Sequence, residues 1–238
     1  PGLFALNIDP EAAAHAYRER LVGPYRGLLP AATVESMEEQ LSGSCTTEIA
    51  AFDEFAKLIG DEGATSQYDH VIFDTAPTGH TMRLLSLPES WSTFIADNTT
   101  GMSCLGPLAG LEAQQDVYQH AVQTLKDPLR TLLLLVARPE KTALREAAQT
   151  SAELREIGVG NQGLVLNGVF QAADPADDLA AAFQARAEAA IDEIPASLST
   201  LPRQMVPLSA VALLGVGALR GVFDCAAGVA LPAVADGA

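Results

Sequence analysis

The chain has 238 residues, 48% of them hydrophobic, and its net charge at neutral pH is −16. This length and composition suffice to bury a full core, and the charge argues against nucleic acid or anionic lipid as a partner. Three widely separated cysteines without a Cys-x-x-Cys pair exclude a disulfide framework, and no apolar run approaches the about 18 residues of a membrane span. We therefore expect a cytoplasmic α/β protein that does not itself span a membrane.

The first half of the chain is predicted to contain helices and one buried strand. A short apolar run turns at Asn7 to Pro10 into a first helix, and a second helix begins near Thr46. The apolar residues of the second helix recur at three- and four-residue spacing: Ile49, Phe52, Phe55, Leu58 and Ile59. Residues 70–74 predict a strand that ends at Asp74. Residues 81–126 are predicted to be a broken helical insertion, because Gly and Pro interrupt them.

The second half alternates strands and helices. Apolar runs at 131–137 and 163–167 predict buried strands, and the segment RQMVPLSA predicts a shorter one. Gly158 is expected to end the helix that follows the first of these strands. Strands that alternate with helices of this length are typical of an α/β fold, a mostly parallel sheet with helices on both faces.

Polar or turn residues stand at the ends of four predicted strands, where a parallel sheet binds its ligands. They are Asp74, the turn from Arg138 to Glu140, Asn167 and Pro207. Four such ends at one edge favour an enzyme or a nucleotide switch. A strand-ending aspartate is able to hold Mg²⁺ in phosphate chemistry, although the same residue is also a common helix cap or turn former.

The segment FDTAPTGHTMRLLSLP, together with EEQLSGSCTTEIAAFDEF upstream and LNGV downstream, closely resembles the arsenite-pump ATPases. This family is a branch of the deviant P-loop ATPases and is related to the factor that targets tail-anchored membrane proteins. The resemblance runs from near residue 5 to about residue 220. It implies a P-loop NTPase-like fold and an ATP hydrolase that energises the efflux of arsenite or antimonite.

In the resembling family the Asp-Thr-Ala-Pro-Thr-Gly-His segment links a nucleotide site to a metalloid site. The resemblance gives Asp74 the region of Mg²⁺ and the γ-phosphate of ATP, and it places His80 near the metalloid. Three further residues share the nucleotide side of the turn: Thr75, Pro77 and Gly79. Because one short turn joins the two ends, a γ-phosphate that shifts Gly79 also moves His80. The alternative for His80 is an imidazole that caps the following helix or lies in the core.

Two cysteines are candidate metalloid ligands. Cys45 and Cys104 each follow Ser in a small-residue turn and stand outside the apolar periodicity. Cys45 also precedes the helix that begins near Thr46, whose dipole favours the thiolate, the form that binds soft ions such as As(III) and Sb(III). In the resembling family both positions match metalloid-binding cysteines, and a second homologous half supplies a further one. Cys225 falls in the Ala-rich tail, matches no family ligand and is interpreted as a small hydrophobic residue.

The resemblance also points to an adenine site. In the family an Asn at the end of a late strand reads the base and a proline-bearing loop flanks it, which implies Asn167 and Pro207 in this sequence. The alternative for Asn167 is a turn residue before Gly168. The resemblance therefore implies ATP and Mg²⁺ as cofactors and As(III) or Sb(III) as an allosteric ligand.

The chain departs from the family because it contains no G-x-x-x-x-G-K-[ST] loop. Its first residues correspond to a point beyond that loop, so we expect a βαβ unit of roughly 30 or more residues to precede Pro1 in the parent protein. Residues 1–225 are then one truncated domain, and residues 226–238 are a flexible tail. The isolated chain is expected to be inactive, because the loop supplies the main phosphate contacts.

Three functions compete: an ATPase that energises arsenite efflux, a targeting ATPase for tail-anchored membrane proteins, and, as a serious rival for the isolated chain, a non-catalytic metalloid-binding remnant. The targeting factor typically has a Met-rich groove and a Cys-x-x-Cys zinc site, whereas this chain has 4 Met and no such pair. The first function is therefore favoured. The partners that it implies are a membrane arsenite efflux channel and a second homologous half or subunit. The channel would hold the protein at the inner face of the membrane.

Overall fold

The structure is a computed structural model that describes residues 2–60, 62–74, 102–103, 106–107, 117, 119–210 and 212–225. The chain divides into two compact units, Pro1–Thr124 and Leu125–Ala238. The first unit is mainly helical where it is described, and the second contains a parallel sheet with helices. Within the described ranges, no helix is both long enough and apolar enough to cross a membrane.

The first unit contains α1 (Pro10–Val22), α2 (Ala31–Gln40), α3 (Ser44–Gly60) and α4 (Glu62–Thr65). Two short antiparallel strands, β1 (Met102–Ser103) and β2 (Gly106–Pro107), also belong to it. Helix α1 begins at Pro10 because Asp9 caps it. One carboxylate oxygen of Asp9 accepts the backbone N–H groups of Glu11 and Ala12 at 2.9 and 3.2 Å. The predicted first helix is confirmed.

Helices α1 and α3 pack against each other and supply much of the apolar core of the first unit. Their buried side chains recur mostly every three or four residues: Ala14, Tyr17, Leu21 and Val22 on α1, and Ile49, Phe52, Ala56 and Ile59 on α3. Burying each large apolar side chain stabilises the fold by about 1.5–3 kcal/mol. The spacing that predicted the second helix thus marks the face that α3 buries.

An ion pair with a buried carboxylate and an exposed guanidinium also joins these two helices. The Asp53 carboxylate of α3 is only 4% exposed and accepts a hydrogen bond from the Arg20 guanidinium of α1 at 2.8 Å. The Lys57 ammonium, one helical turn further along α3, lies 2.9 Å from the same carboxylate. Burial alone lowers the pKa of Lys57, but hydrogen bonds to Glu54 and Asp53 outweigh it and raise the pKa above its ordinary value of 10.5. The stabilisation by Lys57 is therefore present at neutral pH and is lost as the pH rises through that raised pKa.

The predicted strand over residues 70–74 is wrong. The structure has neither a strand nor a β-bridge in this segment. Val71 is 42% exposed and Ile72 is 90% exposed, so the apolar run is not a buried one. A strand needs a backbone ladder with a neighbouring strand, and an apolar run cannot supply that ladder by itself.

Aromatic contacts hold this irregular segment instead. The ring of Phe73 stands edge-on to that of Phe55 on α3, with the ring centroids 4.8 Å apart. The ring of Tyr68 lies 5.5 Å from that of Phe4 between centroids. Edge-to-face and tilted pairs of this kind contribute about 0.5–1.5 kcal/mol each beyond their burial. Ring packing therefore takes the place of strand pairing.

The second unit is built on a three-stranded parallel sheet in the order β3 (Leu133–Ala137), β4 (Gln162–Val169) and β5 (Arg203–Pro207). Its helices are α5 (Lys141–Glu156), α6 (Asp178–Asp192), α7 (Ala196–Ser199) and α8 (Gly215–Cys225). The three strands predicted for this half are confirmed, and so is the parallel pairing of the first two. Since parallel neighbours require a crossover connection, helices separate them along the chain.

Helix α5 packs against β3. The strand register puts four buried residues on one face of the sheet: Leu135 and Ala137 of β3, and Leu164 and Leu166 of β4. Leu144 and Leu154 on α5 are buried as well. On the opposite face, Leu134 is 43% exposed and Val136 is 63% exposed. The core of this unit therefore lies on the first face.

Helix α5 ends at the glycine that the sequence predicts. Gly158 has φ +91°, a conformation that costs Gly little and an L residue more. Its N–H donates to the carbonyl of Arg155 at 3.0 Å, and the N–H of Val159 donates to that of Leu154 at 2.8 Å. These two bonds form a Schellman motif, which satisfies carbonyls that the helix end leaves open.

We predict that Asp53→Ala lowers the free energy of unfolding by about 1–3 kcal/mol, because it removes the buried acceptor shared by Arg20 and Lys57. The control is Glu38→Ala, since Glu38 accepts from Arg26 at 2.6 Å on the surface and Arg26 keeps its two bonds to Glu19. The control substitution should lower the free energy of unfolding by less than about 0.5 kcal/mol. Urea denaturation followed by circular dichroism measures both, and equal effects would contradict the role given to burial.

Candidate functional site

The carboxyl edge of the parallel sheet brings together two of the predicted site residues. Asn167 of β4 is paired with Val206 of β5, and Val169 is paired with Pro207. Asn167 and Pro207 thus lie on neighbouring strands at the same edge. Ligands of parallel sheets bind at this edge, so the two residues are placed where a shared ligand could reach both.

The Asn167 side chain is exposed, and it makes no hydrogen bond with any residue that the structure describes. Its amide carries a carbonyl acceptor and an NH₂ donor side by side. Pro207 is half-buried and has a rigid ring without a backbone donor. Together they present a polar group with fixed donor and acceptor positions beside an apolar flank.

A β-bulge separates these two residue pairs. The register between β4 and β5 shifts between Asn167 and Val169, and the intervening Gly168 has φ +78°. Beyond the bulge, the N–H of Leu208 donates to the carbonyl of Val169 at 2.9 Å. Gly168 was not among the predicted site residues, although an Asn-Gly pair inside an apolar strand run is a signal for a bulge.

The turn from Arg138 to Glu140 follows β3 at the same edge. The Arg138 Nε lies 3.2 Å from a carboxylate oxygen of Glu140. A cavity of about 280 Å³ lies beside this turn and is lined by Glu140, Lys141, Thr142, Arg186 and Ala190. The Lys141 ammonium is paired with Glu193 at 2.7 Å. Three of the four predicted strand ends therefore share one edge, and at the third end Arg138 and Lys141 are both paired with carboxylates.

Asp74 lies in the first unit and is exposed. The prediction that it ends a strand is wrong, because the residues before it have no strand ladder. Its exposed carboxylate nevertheless has the oxygen chemistry that Mg²⁺ prefers. The other predicted residues of this turn lie outside the described residues: Thr75, Pro77, Gly79 and His80.

Cys45 lies in the first turn of α3, which begins at Ser44, so it does not precede the helix as predicted. The N–H of Thr46 donates to the carbonyl of Gly43 at 3.0 Å, which closes that first turn earlier. The helix dipole favours a thiolate in this turn as well. The side chain of Cys45 and the whole of Cys104 lie outside the description. Among the side chains that are described, no group of three His, Cys, Asp or Glu could hold a metal ion.

Cys225 is the last residue of α8 and is not part of an Ala-rich tail. The helix predicted over LLGVGALRGVF extends further along the chain to include it. Helix ends are the least predictable part of a helix, because the last turn has few hydrogen bonds to fix it.

Comparison with known proteins identifies the family. The family model described as anion-transporting ATPase matches residues 1–225. The chain is 55% identical over 224 residues to an arsenical pump-driving ATPase of Acidiphilium multivorum and 54% identical over 224 residues to one of Escherichia coli. Each match covers 94% of this chain, and the chain spans 38% of the length of each relative.

A more distant relative is the ATPase GET3 of Malassezia globosa, which is 27% identical over 184 residues. That match covers 69% of this chain and 53% of the relative. The family model and the two bacterial relatives agree over most of the sequence. The chain therefore belongs to the anion-transporting ATPase family.

Proposed function

We propose that the chain is part of an ATP-hydrolysing subunit that energises the efflux of arsenite or antimonite and couples ATP hydrolysis to metalloid binding. The observation that carries this proposal is the identity of 55% and 54% to two arsenical pump-driving ATPases across 94% of the chain. The identity to GET3 is 27%, so a role in targeting tail-anchored membrane proteins has weaker support. The activity is proposed for the complete gene product, because the chain spans 38% of the length of those relatives.

The adenine end of ATP is assigned to the carboxyl edge of the second unit. The exposed Asn167 amide has a donor and an acceptor side by side, which match the N7 acceptor and the N6 amino donor of adenine. The adjacent Pro207 ring would flank the base. The exposure of the Asn167 side chain and its lack of a described hydrogen-bond partner support this assignment.

The phosphate end of ATP is assigned to Asp74 and to three residues of the sequence segment that follows it: Thr75, Pro77 and Gly79. The exposed Asp74 carboxylate is suited to Mg²⁺, a hard cation that prefers oxygen ligands. Asp74 would hold Mg²⁺, and the bound ion would supply neutralisation of the charge on the phosphoryl group. The role of Asp74 is therefore to bind and orient the cation.

The metalloid is assigned to Cys45, Cys104 and His80. As(III) and Sb(III) are soft and prefer sulfur, and Cys45 lies in a helix turn whose dipole favours the thiolate. The helix that carries Cys45 is held by its packing on α1 and by the Arg20–Asp53 pair. A second homologous half or subunit is proposed to supply a further thiolate.

The coupling and the partners follow from this arrangement. The segment from Asp74 to His80 joins the two sites, so a nucleotide that moves its turn would also move the imidazole. The proposed partner is a membrane arsenite efflux channel, which would hold this cytoplasmic protein at the inner face of the membrane. The net charge of −16 disfavours nucleic acid as a partner.

The alternative to this proposed ATPase function is a non-catalytic metalloid-binding role, since these 238 residues contain no G-x-x-x-x-G-K-[ST] loop.

We predict that Asp74→Ala in the complete gene product lowers steady-state ATP turnover by about 100-fold or more, because it removes an oxygen ligand of Mg²⁺. Asp69→Ala is the control, since Asp69 is an exposed carboxylate of the same segment without an assigned role. It should leave turnover unchanged. Release of inorganic phosphate measures both. Full turnover by Asp74→Ala would remove the catalytic assignment, and arsenite binding without any turnover by the unmodified protein would favour the non-catalytic rival.

We predict that Cys45→Ser and Cys104→Ser each weaken arsenite binding by about tenfold or more, because serine offers no soft ligand. Cys225→Ser should not change the affinity, since Cys225 at the end of α8 has no proposed role in the site. Arsenite titration followed through the thiolate-to-arsenic absorbance measures all three variants. Equal affinity of the Cys45→Ser, Cys104→Ser and unmodified proteins would remove the metalloid site.

A further inference from the structure

We propose that Gly168 is a positioning residue for base specificity, which acts by fixing the direction of the Asn167 amide at the carboxyl edge of the sheet. The proposal rests on the assignment of Asn167 to the adenine end of ATP. It adds a residue that would touch no part of the nucleotide and would act through the backbone of its neighbour.

The bulge is the observation that carries this proposal. Strands β4 and β5 pair residue for residue from the pair Leu164 and Arg203 to the pair Asn167 and Val206. The next pair joins Val169 to Pro207, so two steps on β4 match one step on β5 and Gly168 is the extra residue. Bulges are uncommon in parallel pairs and re-aim the side chains beside them. This bulge directly follows Asn167, at the edge where a ligand would bind.

The backbone conformation of Gly168 explains why glycine is required there. Its φ of +78° lies in the left-handed region, which is unfavourable for residues with a Cβ. Among the described residues, a Cβ added at this position would meet only the Leu208 Cδ1 at 3.7 Å, which is an ordinary contact. The backbone conformation, and not the available space, therefore disfavours any residue with a Cβ at position 168. A side chain here would favour a regular strand and would turn the Asn167 amide away from its present direction.

The hydrogen bond after the bulge holds this geometry in place. The N–H of Leu208 donates to the carbonyl of Val169 at 2.9 Å, so the chain is fixed on both sides of Gly168. An amide discriminates adenine from guanine only when its donor and its acceptor both point at the base, because guanine offers two acceptors where adenine offers a donor and an acceptor. A change in the direction of the amide should therefore affect the base and leave the phosphates untouched.

The test compares Gly168→Ala with the matched control Gly160→Ala in the complete gene product. Gly160 has no left-handed φ, and a Cβ there would meet none of the atoms that the structure describes within 4 Å. The probes are MgATP, MgGTP and Mg-tripolyphosphate, which lacks a base, and calorimetry gives the affinities. Gly168→Ala should bind MgATP about tenfold more weakly and lose most of the preference for ATP over GTP, with tripolyphosphate binding unchanged. Gly160→Ala should match the unmodified protein.

A conservative variant separates conformation from folding. Asn tolerates the left-handed region better than other residues with a side chain, so Gly168→Asn should retain more of the ATP preference than Gly168→Ala. An equal loss of MgATP and tripolyphosphate binding in Gly168→Ala would indicate a purely structural role and overturn the proposal. Unchanged binding of all three probes would overturn it as well.

Asn167→Ala distinguishes the failure of this inference from that of the proposed function. If Asn167→Ala abolishes the ATP preference and Gly168→Ala does not, only the positioning role is wrong. If Asn167→Ala has no effect on any probe, the adenine site itself is wrong, and the positioning role is wrong with it.

Discussion

The parallel backbone ladder through β4 is the interaction on which the second unit depends. This strand pairs with β3 from Leu133 and Gln162 to Ala137 and Leu166, and with β5 on its other side. Because both pairings are parallel, the three strands end at one edge of the sheet. The ladder therefore determines which residues lie at the edge where a ligand could bind. The side chains of those residues determine the chemical type of ligand.

The sequence could predict the strands of the second unit because each is an apolar run between helix-forming segments. Their parallel direction follows from the helical crossovers, and it places Asn167 and Pro207 at one edge. The bulge at Gly168 has a local signal in the Asn-Gly pair, but the apolar runs do not show it, and its register depends on segments far apart in the chain. The prediction of a strand over residues 70–74 was wrong for a related reason. A run of apolar residues is a local property of the sequence, whereas a backbone ladder needs a partner strand.

The first unit shows a second limit of sequence patterns. The spacing of apolar residues predicted α3, but Asp53 stands between Phe52 and Phe55 and resembles an ordinary surface carboxylate in sequence. Only the packing of α1 shows that this carboxylate is buried and that Arg20 pairs with it. In the same way, residue type, local sequence and the family resemblance mark Cys45 and Cys104 only as candidate soft ligands. The tertiary fold sets the distance between two thiols so far apart in the chain.

Strand β3 lies at one end of the described sheet, and Leu134 and Val136 are exposed on its outer face. An uncharged apolar strand at a sheet edge is a template for pairing with other molecules. The net charge of −16 opposes such pairing through repulsion between copies. Acidification protonates the carboxylates and removes that repulsion. The strand that helps to build the ligand edge would then act as a nucleus for precipitation near the isoelectric point.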